Sequence, residues 1–193
     1  PVCRPSSPES SEPFMSSLAV HLHTSPELPN KILNHADDIA STLAAAGIDY
    51  RRVELPATLR PGCEQAEFDA ACGLWLQAFM GREGHVQQEL FNLQRNHPQK
   101  LELRARYLDE QVQASTCAWL FIGGFAQLAV YLNDYVYLLQ GERGDLLTLP
   151  AGTPHWFDLG EEPHALVLRL SQSDETPERT GGDIASRFPR LEA

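Results

Sequence analysis

The second half of the chain consists of short apolar runs separated by turn signals. After Leu101 these runs are bounded by dipeptides such as Asn133-Asp134, Gln140-Gly141 and Gly144-Asp145. Such runs are too short for buried helices and are typical of strands joined by tight turns. Asn133-Asp134 stands between two apolar runs and predicts a β-hairpin. This half of the chain is therefore expected to fold into antiparallel β-structure with brief connections.

The first half of the chain predicts helices and strands that flank this β-structure. Apolar residues at helical spacing predict helices over residues 34–47 and 64–82, and strands are expected at residues 18–23 and 48–55. The polar tail after Ser171 is expected to fold back over the β-structure. Residues 1–14 are rich in Pro and Ser and are expected to be a disordered extension, which leaves residues 15–193 as a single domain.

Composition limits the classes of partner. The 193 residues carry a formal net charge of -11, which repels nucleic acid and anionic membranes. No apolar run approaches the roughly 20 residues of a membrane span, and no signal peptide is recognisable. The four cysteines lack metal-type spacing and are expected to be free thiols. We therefore expect a cytoplasmic protein, monomer or homodimer, that acts on a small molecule.

Two segments within the predicted β-structure have the spacing of a metal-binding β-barrel. The run from Gly144 to His155 follows the cupin pattern G-x5-P-x-G-x2-H. The run from Gln111 to Gly124 has the spacing of the partner pattern H-x-H-x3-E-x6-G, but Gln, Gln and Cys replace His, His and Glu. The chain is therefore expected to have a mainly β fold with flanking helices and a small β-barrel, and its resemblance to cupins implies the cupin double-stranded β-helix.

Longer blocks of sequence carry a more specific resemblance. From Met15 onward the chain resembles bacterial acireductone dioxygenases, and the matching segments include residues 28–31, 38–40, 97–100, 102–110, 144–146, 150–158, 182–185 and 187–191. The resemblance implies the cupin barrel. It also implies an iron or nickel ion held by three His and one Glu, at which O2 cleaves an acireductone.

The chain departs from this family at the positions that would bind the metal. The resemblance places the four ligands at Gln111, Gln113, Cys117 and His155, so that only the last ligand is retained. Amide oxygens are weak donors for iron or nickel compared with imidazole and carboxylate. We therefore expect no metal and no cofactor. The arginine that should follow the Glu ligand is Trp119, which indicates a smaller and more apolar pocket.

Two side chains that once bound a common ion are expected to lie close together. If the barrel geometry is retained, the Cys117 thiol and the His155 imidazole come within hydrogen-bond reach, and the imidazole would lower the pKa of the thiol. The alternative is that Cys117 only fills space in the core. The predicted catalytic residues are His155 and Cys117, and the predicted substrate-binding residues are Gln111, Gln113, Trp119, Phe157 and Arg169.

These residues predict an acireductone-dioxygenase-like cupin that has lost its metal-dependent dioxygenase activity. It would instead isomerise, dehydrate or rearrange a small keto or enediol-type metabolite without a metal. In this hypothesis His155 is the general acid or base, and Arg169 holds an anion or carbonyl group. One alternative is a catalytically inactive cupin that binds a ligand or a protein. Another alternative is a metal-dependent oxygenase with an altered site.

Overall fold

The computed structural model describes residues 15–192, so the predicted disordered extension at residues 1–14 lies outside the described residues. The helices are α1 (Ala36–Ala45), α2 (Gln65–Glu83), α3 (Lys100–Tyr107) and α4 (Ile184–Arg187). The strands are β1 (Ser17–Leu22), β2 (Lys31–Leu33), β3 (Asp49–Arg52), β4 (Gln87–Leu93), β5 (Gln111–Val112), β6 (Cys117–Leu132), β7 (Tyr135–Gly141), β8 (Asp145–Leu149), β9 (His155–Asp158), β10 (His164–Ser171) and β11 (Glu178–Arg179).

The long strand β6 joins two antiparallel layers into a barrel. Its first half pairs with β8 and β10, and β10 pairs with β4. Its second half pairs with β7 and β9. The strand order β11-β5-β9-β6-β7-β1-β2 completes the second layer. The mainly β fold predicted from the sequence is confirmed.

Alternating side chains of β6 and β10 divide the core into two parts. Trp119, Phe121 and Val167 face the barrel interior together with Phe91 and Phe157. The residues between them on the same strands pack against α2, which covers the outside of the barrel. On the opposite side the C-terminal tail packs Ile184 and Phe188 against Trp156. The tail therefore folds back over the barrel, as the sequence predicts.

The predicted hairpin is confirmed, whereas α3 and the four-residue α4 were not predicted. Asn133 and Asp134 both have positive φ and connect β6 to β7 with Leu132 opposite Tyr135, as in a two-residue type I′ turn. The expectation of β-structure immediately after Leu101 is wrong, because Lys100–Tyr107 is helical. The Lys, Leu, Glu, Arg and Ala residues of this segment are strong helix formers, and only Tyr107 is buried.

Gly124 allows β6 to bend between the two layers. Its φ is +65°, and a Cβ atom there would lie 2.0 Å from the backbone oxygen of His164. We expect Gly124→Ala to lower the free energy of unfolding by about 2 kcal/mol, because alanine adds both left-handed strain and a backbone clash. Urea denaturation measures this change.

Gly73→Ala is the matched control. Gly73 lies within α2, and a Cβ atom there meets nothing within 4 Å. This substitution should stabilise the protein by up to about 1 kcal/mol. Equal stability of Gly124→Ala and the unmodified protein would show that the bend does not depend on glycine.

Over residues 15–192 the structure contains no helix that is long and apolar enough to cross a membrane.

Candidate functional site

The predicted site residues come from four strands and are buried. Cys117 and Trp119 lie on β6, His155 and Phe157 on β9, Arg169 on β10, and Gln111 on β5, with Gln113 just after β5. All of these side chains are buried in the barrel. Gln111 is the strand partner of His155. The Gln111 amide nitrogen instead donates to the backbone oxygen of Arg106, at 2.5 Å.

Several of these side chains lie next to the Trp119 ring. Its ring lies 4.5 Å from the Phe157 ring, 6.0 Å from the His155 ring and 6.0 Å from the Arg169 guanidinium carbon. The Tyr107 ring lies 5.8 Å away, edge on. Aromatic rings therefore surround Trp119 in the barrel interior.

Arg169 is a buried cation held mostly by neutral groups. The residue is only 6% exposed. Its guanidinium lies over the Tyr107 ring at 5.6 Å and donates a hydrogen bond to the Gln113 amide oxygen. Within residues 15–192 no carboxylate forms an ion pair with Arg169, and its Nε atom has no hydrogen-bond partner. A buried charge of this kind is unfavourable unless a ligand completes its surroundings.

His155 presents one free nitrogen in the barrel. Its Nδ1 atom lies 2.8 Å from the backbone oxygen of Thr153. Since a carbonyl accepts, Nδ1 carries the proton and Nε2 carries a lone pair. In the described part of the chain this Nε2 atom is buried without a partner. Burial lowers the pKa of His155 from 6.5 to about 4, which keeps the imidazole neutral at physiological pH.

The predicted hydrogen bond between Cys117 and His155 is not formed. His155 Nε2 has no partner among the described residues, so the Cys117 thiol does not reach it. Burial raises the pKa of Cys117 to about 11, although the charge of Arg169 opposes this shift. The thiol is therefore protonated at neutral pH, and the expectation that a neighbouring imidazole lowers its pKa is wrong. The residue packs within the apolar interior instead.

Tyr107 and Glu89 belong to the site but were not singled out from the sequence. The Tyr107 hydroxyl donates to the Glu89 carboxylate, which also pairs with Arg106 at 2.9 Å. The Tyr107 ring covers one face of Arg169. A tyrosine that ends a charged helix just before the ligand-spaced segment was the available signal, but the helix itself was not recognised.

The side chains at the family's ligand positions do not fit an ion held by three His and one Glu. Among residues 15–192 no group of three or more His, Cys, Asp or Glu side chains could hold a metal ion. The Gln113 amide oxygen already accepts a hydrogen bond from the Arg169 guanidinium. His155 Nε2 alone has the state of a metal-ligating imidazole, with a lone pair on one nitrogen and the other nitrogen bonded to a carbonyl.

A solved structure shows the same fold. An acireductone dioxygenase from Bacillus anthracis, with a cadmium ion in its active centre, superposes with a TM-score of 0.70. The alignment covers 85% of this chain and 98% of that chain at 18% sequence identity. The likeness confirms the cupin fold.

Curated relatives overturn the expectation that no cofactor is involved. The acireductone dioxygenase of Pseudomonas syringae pv. syringae (strain B728a) is 43% identical over 180 residues, which are 92% of this chain and 99% of the relative. That of Pseudomonas fluorescens (strain Pf0-1) is 42% identical over the same share. Since such proteins include the cadmium-bound example, the expectation of no cofactor is wrong, and a metal cofactor is to be expected.

The family model agrees with these relatives. A model described as the ARD/ARD′ family matches residues 76–178, which include α3, both spaced segments and Arg169. On the basis of this match and of the 43% identity along nearly its whole length, the chain belongs to the acireductone dioxygenase family.

Proposed function

We propose that this chain binds a small keto or enediol-type metabolite inside the barrel and isomerises, dehydrates or rearranges it. One observation carries this proposal. Three buried polar atoms, His155 Nε2, Trp119 Nε1 and Arg169 Nε, lack hydrogen-bond partners within residues 15–192. All three belong to side chains that meet around the Trp119 ring.

The donor or acceptor character of the three atoms indicates which ligand groups would fit. A buried polar atom without a partner costs about 1–3 kcal/mol, so a molecule that pairs with all three is bound favourably. Arg169 and Trp119 donate, and together they suit a carbonyl or enolate oxygen. His155 Nε2 accepts, and it suits a hydroxyl group. An enediol beside a carbonyl, which is the structure of an acireductone, offers both kinds of group.

The same arrangement supports a proton transfer. His155 Nε2 takes the proton of the bound hydroxyl, and the fixed charge of Arg169 stabilises the negative oxygen that results. The aromatic rings exclude water and strengthen this electrostatic interaction. Gln111 lies opposite His155 in the sheet and Phe157 lies against the Trp119 ring, so these two residues limit the shape of the ligand. Cys117 lines the interior as a neutral thiol.

Replacing His155 by glutamine tests this function. We expect His155→Gln to lower the turnover of a synthetic acireductone by about 100-fold or more, since proton transfer by a positioned side chain contributes that much. Disappearance of the enediol absorbance measures turnover. His164→Gln is the matched control, because His164 is exposed on β10. Unchanged turnover in His155→Gln contradicts the assigned role. If the unmodified protein binds the acireductone tightly but does not turn it over, the chain is an inactive, ligand-binding cupin.

A metal-dependent oxygenase with an altered site is the second candidate, and the relatives favour it. The curated relatives are acireductone dioxygenases, and the similar structure from Bacillus anthracis is described with cadmium in its active centre. The metal content of protein purified without chelator separates the candidates. About one equivalent of metal, lost in His155→Gln and accompanied by O2 uptake, supports the oxygenase. Less than about a tenth of an equivalent contradicts it.

A further inference from the structure

Two surface cavities flank one short segment at the mouth of the barrel. The segment, residues 173–178, connects β10 to β11 and is called the lid below. A cavity of about 650 Å³ is lined by Gln113 and a cavity of about 310 Å³ by Arg169. Both cavities also share three lid residues, Glu175, Thr176 and Pro177, as part of their lining. The lid therefore lies between the two cavities. One cavity is lined by Gln113 and the other by Arg169, and these two residues are hydrogen-bonded to each other.

Gln113 connects the lid to the buried cation. Its amide nitrogen donates to the backbone oxygen of Glu175 at 2.8 Å, and its amide oxygen accepts from Arg169. The Gln113 oxygen accepts from Nη2 of Arg169, and a ligand oxygen bound at the unpartnered Nε atom would lie on the same guanidinium and draw it away from Gln113. Binding at Arg169 and loosening of the lid are therefore linked through one side chain.

The remaining attachments of the lid are few. Ser173 Oγ donates to Ser115 Oγ at 3.0 Å. The far end pairs β11 with β5 over only two residues, and the Thr180 backbone nitrogen donates to the backbone oxygen of Glu110 at 3.1 Å. The Thr180 hydroxyl donates to the Glu110 carboxylate. The lid side chains are mostly exposed. Segments with few buried contacts open locally at a low free energy compared with global unfolding.

The site beneath the lid is closed. His155 is 1% exposed and Trp119 is fully buried. A ligand cannot reach the unpartnered atoms of these side chains unless a covering segment moves. The lid is the covering segment that borders both cavities.

We infer that residues 173–178 form a lid that opens to admit the ligand, with Gln113 as its latch. The inference rests on the proposed function for its purpose, because a lid needs a ligand to admit. It can be tested without any ligand, so that its failure and the failure of the proposed function are distinguishable.

Alkylation of Cys117 reports on opening of the lid. Cys117 is buried and lies opposite Ser171, the last residue of β10 before the lid region. Cys72 is equally buried, but it lies on the inward face of α2 in the other cluster and serves as the internal control. Iodoacetamide labelling of the native protein, followed by peptide mass spectrometry, gives the rate for each thiol.

A disulfide should close the lid. Ser115→Cys combined with Ser173→Cys places two sulfur atoms where oxygens now lie 3.0 Å apart, which is compatible with the roughly 4 Å Cβ separation of disulfides. We expect the oxidised double variant to alkylate Cys117 at least about tenfold more slowly, with the Cys72 rate unchanged. Equal slowing of both thiols shows that labelling requires global unfolding and overturns the inference. An unchanged Cys117 rate overturns it as well.

Releasing the latch should have the opposite effect. Gln113→Leu removes the hydrogen bonds to Glu175 and Arg169, and we expect Cys117 to be alkylated about fivefold faster, which is the effect of one lost hydrogen bond on a local equilibrium. Gln172→Leu removes a hydrogen bond to the Glu83 backbone outside the lid and is the matched control. A Cys117 rate that is equal in the two variants contradicts the latch.

Discussion

Replacing Arg169 by leucine is expected to stabilise the folded protein by about 1 kcal/mol and to weaken acireductone binding by about 30-fold or more. The guanidinium is buried against the rings of Tyr107 and Trp119, with one amide oxygen as its hydrogen-bond acceptor. Leucine relieves the desolvation of this charge, whereas the ligand loses its charged donor. Opposite changes in stability and in binding identify a residue that is maintained for the ligand rather than for the fold.

Urea denaturation and anaerobic titration calorimetry measure the two quantities. Arg82→Leu is the matched control, because Arg82 also lies over an aromatic ring, that of Phe79 at 5.8 Å, but is exposed on α2. It should change stability by less than about 0.5 kcal/mol and leave binding unaltered. If Arg169→Leu destabilises the protein and binding is unchanged, Arg169 is a structural residue.

Asp158→Asn is expected to lower the free energy of unfolding by about 4 kcal/mol, because it leaves Arg104 without its buried partner. The Asp158 carboxylate has no exposed surface and accepts from Arg104 Nε at 2.7 Å. The backbone nitrogens of Gly160 and Leu191 each donate to it at 2.9 Å. This carboxylate thus fastens α3 and the C-terminal tail to β9. Glu162→Ala is the control, since the exposed Lys100–Glu162 pair should contribute less than about 1 kcal/mol.

The contribution of Asp158 should depend on pH in a defined direction. Burial raises the pKa of Asp158, but the hydrogen bonds from Arg104, Gly160 and Leu191 outweigh burial and hold the pKa below its ordinary value of 3.8. The stabilisation is therefore fully present above pH 3.8 and is lost as the pH falls through the lowered folded-state pKa. The stability difference between the unmodified protein and Asp158→Asn should shrink in this acid range. A difference that stays constant to pH 2 contradicts the assignment.

The sequence predicted the barrel well because its signals are local. Turn residues such as Asn133-Asp134 and the spaced glycines determine where strands end, and these features can be recognised without knowledge of the fold. The helix Lys100–Tyr107 was missed because its charged residues lack an apolar stripe. Its position depends on long-range contacts, among them that of Arg104 with Asp158 and those of Tyr107 and Arg106 with Glu89.

The site was predicted less completely because its contacts join distant parts of the chain. The sequence identified Arg169 and Gln113 separately. The hydrogen bond between them could not be predicted, because the two residues are 56 positions apart and meet only in the closed barrel. The Cys117–His155 contact was expected from the spacing of lost ligands. In the structure the two side chains have different surroundings, since His155 Nδ1 lies against the backbone oxygen of Thr153 and Cys117 packs in the apolar interior, and spacing alone does not reveal these contacts. Gln111, Gln113 and Cys117 at the ligand positions suggested that no cofactor is involved. The relatives, in contrast, lead to the expectation of a metal cofactor.

The central claim is that His155 Nε2 accepts a hydrogen bond from a ligand held beside Trp119 and Arg169. The most direct measurement is the ¹⁵N NMR spectrum of His155, on protein of known metal content, with and without synthetic acireductone under argon. The resonance of the unprotonated Nε2 should shift when acireductone binds, and the shift should be absent in Arg169→Leu at the same ligand concentration. A His155 resonance that is unmoved at saturating acireductone would contradict the claim.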